Sequence, residues 1–248
     1  MQTLKFDLNQ YNNKLHGELT IFLNENDLEK EMLLVVPGGG YDHLSIKENL
    51  PVVNRFLKEN INVASLKYSV FPYHYPIQEL EINEAINILR KYSNKIFLLG
   101  FSAGAHLSLL AYTNENNKDV KGMIALYPVV SFKEYVHEGS RDHFLNYETN
   151  EDNIKKYSIE NRIKEGLAPV MIFVGENDKS VSPENSMILK NTLDAFNIKN
   201  KLQVFKDGPH GFALADESTV INGDRSLVKK EAQKWVFEAI SFIKTGTF

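Results

Sequence analysis

Short runs of apolar residues alternate along the chain with stretches in which apolar residues recur every three or four positions. The apolar runs predict strands near 17–23, 32–37, 62–68, 95–100, 121–127, 169–175 and 201–205. The periodic stretches predict helices near 46–59, 77–92, 183–196 and 225–243, and another from the end of the fourth strand to about residue 113. Continuous apolar runs are typical of strands covered on both faces, so the pattern predicts an α/β fold whose mostly parallel central sheet has helices on both sides.

One segment departs from this alternation. Residues 129–166 separate two predicted strands and are rich in charged and aromatic side chains. Such a connection is long for an α/β protein, and covers over functional sites are one reason for long insertions. Two interpretations stay open, a solvated extra helix with its loop or a lid over a site. We expect one domain over 1–248 that carries this lid-like insertion.

Composition and charge narrow the class of protein. Hydrophobic residues make up 43% of the 248 positions, and the formal net charge is −4. These values are typical of a globular chain and argue against binding to nucleic acid or to an anionic membrane surface. The chain has no cysteine, which excludes thiolate nucleophiles and cysteine-ligated metals. No signal-peptide pattern and no transmembrane-length apolar run is found, so we expect a cytoplasmic protein.

The most informative motif follows the fourth predicted strand. The segment Gly100-Phe101-Ser102-Ala103-Gly104 stands between an apolar strand and a helix. It is G-x-S-x-G in the strand–turn–helix context that a nucleophilic serine requires. The two glycines let strand and helix pass close to each other, so the Ser102 hydroxyl is expected to project from the top of the sheet. The backbone amides that open the helix point toward the group that the serine attacks.

A glycine-rich loop follows the second predicted strand, with the sequence Pro37-Gly38-Gly39-Gly40-Tyr41. Three glycines permit positive φ angles and let a ligand approach the backbone N–H groups, as an oxyanion hole requires. A purely structural turn is the alternative. A phosphate-binding loop is disfavoured, because neither G-x-G-x-x-G at a helix start nor G-K-[ST] occurs.

Two later loops supply an acid and a base. Asp178 lies after the strand predicted at 169–175, and His210 lies in a Gly/Pro-bracketed turn after the last predicted strand. The chain order Ser, Asp, His is that of the α/β-hydrolases, and all three residues follow carboxyl ends of strands, where such sheets bind ligands. Glu176 stays a rival for the acid. We predict a catalytic triad that needs no cofactor and no metal, since no His/carboxylate cluster has metal-ligand spacing.

Other side chains lie near the same predicted edge of the sheet. The candidates for lining an acyl or alcohol pocket are Tyr41, His43 and Tyr68. His106, four residues after Ser102, is interpreted as a hydrogen-bonded packing residue rather than a second base. For His137 and His143, in the insertion, a surface position is favoured over contact with substrate.

These segments together resemble the α/β-hydrolase superfamily. The resemblance rests on P-G-G-G-Y, G-F-S-A-G-x-H-L, Tyr-Pro after the next strand, the aspartate loop and P-H-G-F, and it covers nearly the whole chain from about Leu33. Within the superfamily the chain is similar to small carboxylesterases of the hormone-sensitive-lipase and acetyl-xylan-esterase types. Lipase-type relatives have His where this chain has Pro37, which points toward the acetyl-esterase-like branch.

The resemblance implies a serine esterase. It assigns Ser102 as nucleophile, Asp178 as acid and His210 as base, and it matches the oxyanion-hole amides to Gly39, Gly40 and Ala103. The implied reaction is hydrolysis of short-chain acyl esters, acetyl esters in particular, through a covalent acyl-enzyme. The implied partner is a small ester, with an acetylated carbohydrate as one candidate, and the oligomeric state is left open. The alternatives are a serine peptidase or thioesterase of the same fold and a non-catalytic ligand-binding homologue.

Overall fold

A single sheet of eight strands runs through the computed structural model, which describes all 248 residues. The strands are β1 (Gln2–Asp7), β2 (Glu18–Leu23), β3 (Glu31–Val36), β4 (Asn62–Lys67), β5 (Lys95–Phe101), β6 (Gly122–Leu126), β7 (Val170–Gly175) and β8 (Asn200–Phe205). Their order across the sheet is β1-β2-β4-β3-β5-β6-β7-β8. The pairs β1–β2 and β2–β4 are antiparallel and the other five pairs are parallel, which confirms the predicted fold class.

Seven α-helices accompany the sheet. They are α1 (Leu50–Leu57), α2 (Ile77–Leu89), α3 (Ala103–Tyr112), α4 (Glu138–Leu145), α5 (Glu151–Tyr157), α6 (Glu184–Ala195) and α7 (Lys234–Thr245). The last helix begins at Lys234 rather than near residue 225. At the start of the predicted segment, Asp224 accepts hydrogen bonds from the Ser226 amide and hydroxyl and forms a turn. None of these helices combines the length and the apolar character needed to cross a membrane.

The apolar core lies on both faces of the sheet. Alternate residues of β3 show the division, since Leu34 and Val36 belong to one buried cluster and Leu33 and Val35 to the other. The first cluster is covered by α2, α3 and α6, and the second by α1 and α7. On α7, the Trp235 ring is fully buried and its Nε1–H donates to the Ala213 carbonyl oxygen at 2.8 Å. The loop that follows β8 is therefore tied to the core.

The insertion at 129–166 contributes to this core. It contains α4 and α5, and its buried apolar side chains include Phe132, Phe144, Leu145 and Tyr157. The Phe132 ring stacks on the ring of His106, a residue of α3, with centroids 4.5 Å apart. The His143 Nδ1 of α4 lies 3.1 Å from the Gly40 carbonyl oxygen. The insertion thus packs against the sheet and places α4 beside the glycine-rich loop.

Candidate active site

Ser102 occupies a sharp turn between β5 and α3. Its backbone has φ 51° and ψ −119°, a left-handed conformation that costs a non-glycine residue about 1–3 kcal/mol. The turn is held by the Ser102 N–H, which donates to the Leu126 carbonyl oxygen at 2.9 Å. A Cβ on Gly104 would lie 2.3 Å from the Pro37 carbonyl oxygen, so only glycine lets α3 pack this closely on the end of β3. The surrounding packing therefore fixes the serine in a strained position.

The structure brings the Ser102, His210 and Asp178 side chains together. The His210 Nε2 lies 3.0 Å from the Ser102 Oγ, and its Nδ1 lies 2.7 Å from the Asp178 Oδ2. The Asp178 side chain is fully buried, and its Oδ1 accepts hydrogen bonds from the Ser180 and Val181 amides, each at 2.9 Å. Because the carboxylate can only accept, the His210 Nδ1 carries the proton and Nε2 is free to accept from the serine hydroxyl.

Three backbone amides near Ser102 have no partner within the chain. They are those of Gly39, Gly40 and Ala103. Gly39 has φ +127°, and a Cβ there would lie 2.0 Å from the His43 carbonyl oxygen, so this conformation requires glycine. The Gly38 amide is not available, because it donates to the Glu48 Oε2 at 2.8 Å. Unpaired backbone donors beside a serine hydroxyl are the kind of group that can stabilise an oxyanion.

Glu48 and Tyr127 form a buried network that the sequence does not reveal. Glu48 is 3% exposed, and its Oε1 accepts from the Tyr127 hydroxyl at 2.7 Å. Burial raises the pKa of Tyr127 well above its ordinary value, so the hydroxyl keeps its proton. This hydroxyl also accepts from the Ala213 amide at 3.1 Å, and the ring packs edge-on against His210 at 4.9 Å. The network connects the glycine-rich loop to the loop of the histidine.

Of the two residues in this network, only Tyr127 belongs to a recognisable sequence motif. Tyr127 belongs to the Tyr-Pro pair that follows β6, and this pair is part of the pattern that resembles the α/β-hydrolases. Glu48 stands in a charged stretch with no local motif, and only the folded chain brings it to Gly38. A buried carboxylate of this kind has no signature in a single sequence.

Tyr41 and Tyr68 do not line the cavity around Ser102, in contrast to the prediction from the sequence. They are 0% and 2% exposed. Aromatic rings gain from burial when their hydroxyls find a partner. The Tyr68 hydroxyl donates to the Pro37 carbonyl oxygen at 2.9 Å, and the Tyr41 hydroxyl lies 2.8 Å from the His106 Nδ1. Both rings thus support the glycine-rich loop from below.

The other candidates divide between the cavity and the surface. His43 lines the cavity and its side chain is 69% exposed. Glu176, the rival acid, is exposed, and the His210 Nδ1 is hydrogen-bonded to Asp178 instead. His137 and His143 both line the cavity, although surface positions were favoured for them. No three His, Asp or Glu side chains are grouped so that they could hold a metal ion.

His106 is buried and hydrogen-bonded through both ring nitrogens. Its Nε2 lies 2.8 Å from the Tyr157 carbonyl oxygen, which can only accept, so the proton resides on Nε2. Nδ1 then accepts from the Tyr41 hydroxyl. Burial lowers the pKa of His106 to about 3. The residue therefore joins α3, the glycine-rich loop and the insertion as a neutral imidazole, which is the packing position that the sequence pattern favours.

The burial of neutral His106 predicts a loss of stability in acid. The unfolded chain binds a proton at this residue near pH 6.5 and the folded chain only near pH 3, so between these values the unfolded state binds more protons. The stabilisation is complete above about pH 6.5 and is lost as the pH falls. From pH 7 to pH 5 the free energy of unfolding should drop by about 2 kcal/mol from this residue.

Denaturant unfolding of the wild type and His106→Gln at the two pH values measures this loss. Because glutamine does not titrate, the variant should lose less stability on acidification than the wild type. Equal losses in both proteins would contradict the assignment to His106.

The cavity at Ser102 has a volume of about 360 Å³. None of its 14 lining residues is hydrophobic, and they include Gly39, Gly40, Asp42, His43, Lys47, Glu48, Ser102, His137, His143, Ser180 and His210. Without a hydrophobic side chain in its lining, the cavity offers a long acyl chain little apolar side-chain surface to pack against. It does provide many donors and acceptors for a polar molecule.

Comparisons with known proteins agree with this architecture. The family model BD-FAE matches residues 19–193. Endo-1,4-beta-xylanase B of Butyrivibrio fibrisolvens is 28% identical over 224 residues, which cover 80% of this chain and 35% of that protein. Acetylxylan esterase of Xylanibacter ruminicola is 28% identical over 216 residues, which cover 80% of this chain and 44% of that protein. The chain thus matches less than half the length of these two curated relatives.

A solved structure extends the similarity over most of the chain. The acetyl ester-xyloside bifunctional hydrolase from Caldicellulosiruptor lactoaceticus superposes with a TM-score of 0.78 and 29% sequence identity. The alignment covers 92% of this chain and 89% of that one. Since the family model also spans more than half of the chain, the protein belongs to the BD-FAE family, in the esterase-like branch of the α/β-hydrolases.

Proposed function

We propose that the protein is a serine carboxylic ester hydrolase that cleaves short-chain acyl esters, acetyl esters first. The observation that carries the proposal is the continuous contact from the Ser102 Oγ through His210 to Asp178, at 3.0 and 2.7 Å. The esterase and hydrolase names of the relatives support the same class of reaction.

The proposed reaction has two acyl-transfer steps. The His210 Nε2 takes the proton from the Ser102 hydroxyl while Oγ attacks the ester carbonyl carbon. Asp178 keeps the proton on Nδ1 and stabilises the imidazolium that forms. The imidazolium then gives its proton to the leaving alcohol as the C–O bond breaks, which leaves an acyl-enzyme. Water, deprotonated by the same nitrogen, attacks the acyl carbonyl. The imidazolium then returns this proton to the Ser102 Oγ as the acyl C–O bond breaks, which releases the acid and the free serine.

Negative charge develops on the carbonyl oxygen in each tetrahedral intermediate. In the proposal this oxygen accepts hydrogen bonds from the unpaired amides of Gly39, Gly40 and Ala103. A single donor of this kind is worth roughly 3 kcal/mol of barrier. Glu48 keeps the Gly38 amide out of this set and holds the loop in place by the same hydrogen bond.

The polar cavity supports a carbohydrate as the alcohol part of the ester. None of the lining side chains is hydrophobic, which suits a sugar better than an alkyl or lipid group. The relatives named acetylxylan esterase and acetyl ester-xyloside bifunctional hydrolase support the same substrate class. We propose that the insertion at 129–166 acts as a cover for this substrate, because two of the lining histidines lie in it, His137 at the N-cap of α4 and His143 within α4. A cytoplasmic location stays a prediction from the sequence.

A series of 4-nitrophenyl esters tests the proposal. We expect kcat/KM to be highest for the acetate and to fall by at least about tenfold toward the octanoate, because no hydrophobic side chain lines the cavity to receive the longer chain. A fluorophosphonate probe should label Ser102 in the folded wild type, and Ser102→Ala is the control that should not label. A preference for the octanoate would contradict the short acyl assignment, and a folded wild type that neither labels nor turns over would refute the esterase.

A further inference from the structure

Two histidines in the cavity have no role in the proposed acyl transfer. His137 precedes α4 and His143 lies within it, and both face the space that contains Ser102. Both rings flank Gly40, since a Cβ built on that glycine would lie 3.8 Å from the His137 Cε1, and the Gly40 carbonyl oxygen lies 3.1 Å from the His143 Nδ1. They therefore border the glycine-rich loop on the side of the insertion.

The hydrogen bonds of His137 determine which ring nitrogen carries its proton. The Ser140 backbone N–H donates to the His137 Nδ1 at 3.1 Å, in an N-terminal cap of α4. An N–H group can only donate, so Nδ1 is unprotonated and the proton resides on Nε2. Burial, together with the nearby His210 and His143 rings, lowers the pKa of His137 and keeps the imidazole neutral. Nε2 is thus a donor, and it has no partner within the chain.

The hydrogen bond of His143 gives the opposite arrangement. Its Nδ1 faces the Gly40 carbonyl oxygen, which can only accept, so Nδ1 carries the proton. In the neutral ring Nε2 is then an acceptor, and it too has no partner within the chain. The ring is held by Phe71 on one side, with centroids 5.1 Å apart. The cavity therefore presents one fixed donor and one fixed acceptor at its insertion side.

We propose that the His137 Nε2 donates to, and the His143 Nε2 accepts from, hydroxyl groups of a sugar whose acetyl ester is held at Ser102. Each sugar hydroxyl can both donate and accept, so a ring with free hydroxyls satisfies both nitrogens. A plain alkyl or aryl leaving group leaves both nitrogens unpaired, which a site built for hydroxyls discriminates against. The inference rests on the proposed esterase function and assigns the residues that select the carbohydrate part of its substrate.

Asparagine variants separate this role from a structural one. In His137→Asn the amide oxygen can still accept from the Ser140 amide, since asparagine is a favoured N-cap, and in His143→Asn the amide nitrogen can still donate to Gly40. Both variants remove Nε2. His74→Asn is a matched control, because the His74 Nδ1 also contacts a backbone carbonyl, that of Tyr75 at 2.9 Å, and the residue lies outside the cavity.

The substrates are a methyl xyloside with a single acetyl group and 4-nitrophenyl acetate. For each cavity variant we expect the ratio of kcat/KM for the sugar ester to that for the aryl ester to fall at least about tenfold. His74→Asn should leave this ratio unchanged. An unchanged ratio in both cavity variants, whether both rates persist or both fall together, would overturn the proposal.

Binding of the acetylated xyloside to Ser102→Ala, followed by NMR titration, gives a second readout that needs no turnover. Adding His137→Asn or His143→Asn should weaken this binding at least about tenfold. Equal affinity with and without these changes would overturn the inference. Failure of the wild type to hydrolyse either ester would refute the esterase function, and the titration would still decide the role of the two histidines.

Discussion

Ser102→Ala should lower kcat for 4-nitrophenyl acetate by about 10⁴–10⁶-fold while the chain stays folded. In the wild type the His210 Nε2 lies 3.0 Å from the Ser102 Oγ. Without this oxygen the histidine has no hydroxyl to activate, and no acyl-enzyme can form. The unpaired amides and the cavity remain, so residual hydrolysis about 10³–10⁴-fold above the uncatalysed rate is expected. Steady-state kinetics, with burst analysis of the wild type, measures the effect. Turnover within tenfold of the wild type would remove Ser102 from the nucleophile position.

A second substitution at Ser102 tests whether the loss of activity comes from the missing hydroxyl rather than from a less stable fold. Ser102→Gly should be equally inactive, yet more stable than the wild type by about 1 kcal/mol, since glycine accepts φ 51° without the strain that serine bears. Thermal unfolding of the three proteins measures this. A glycine variant less stable than the alanine variant would contradict the assignment of strain to Ser102.

Asp178→Asn should lower kcat by about 10⁴-fold with little change in the fold. The asparagine oxygen can keep the hydrogen bonds from the Ser180 and Val181 amides. Its NH₂ group would face the His210 Nδ1, however, and would favour the ring with its proton on Nε2. That nitrogen could then no longer accept the proton of Ser102, which lies 3.0 Å away.

The kinetics of Asp178→Asn have a matched control in Glu176→Gln. Glu176 lies two residues earlier in the same loop, and its side chain is exposed to solvent. Its replacement should change kcat less than twofold, as expected for a surface substitution away from the reacting groups. A loss in Glu176→Gln as large as that in Asp178→Asn would transfer the role of the acid to Glu176. Thermal unfolding checks that both variants fold.

Much of the sheet could be predicted because doubly covered strands have continuous apolar sequences. The strand β5, Lys95–Phe101, is one such run, and its neighbours are similar. β1 was missed because it is an edge strand with only Leu4 and Phe6 partly buried, so its apolar pattern is weak. The loops that carry Ser102, Asp178 and His210 follow directly from strand ends, and their convergence is a property of parallel sheets.

Side-chain orientation at the site was harder to predict, because it depends on contacts between distant segments. Tyr41 belongs to a glycine-rich loop, where an exposed ring is a natural expectation, but its hydroxyl finds a buried partner in His106. Glu48 finds Gly38 and Tyr127 only after three segments have come together. The proton positions on His137 and His143 follow from single backbone groups, those of Ser140 and Gly40, that no sequence pattern identifies.

The hydrogen bonds of Glu48 have a mechanical consequence. The buried Glu48 carboxylate accepts a hydrogen bond from the Gly38 amide at the start of the glycine-rich loop. It also accepts from the Tyr127 hydroxyl, which in turn accepts from the Ala213 amide just past His210. The glycine-rich loop and the segment that carries His210 are thus held by the same buried side chain. The distance between these two segments is therefore set by a buried side chain inside the molecule rather than by contacts at its surface.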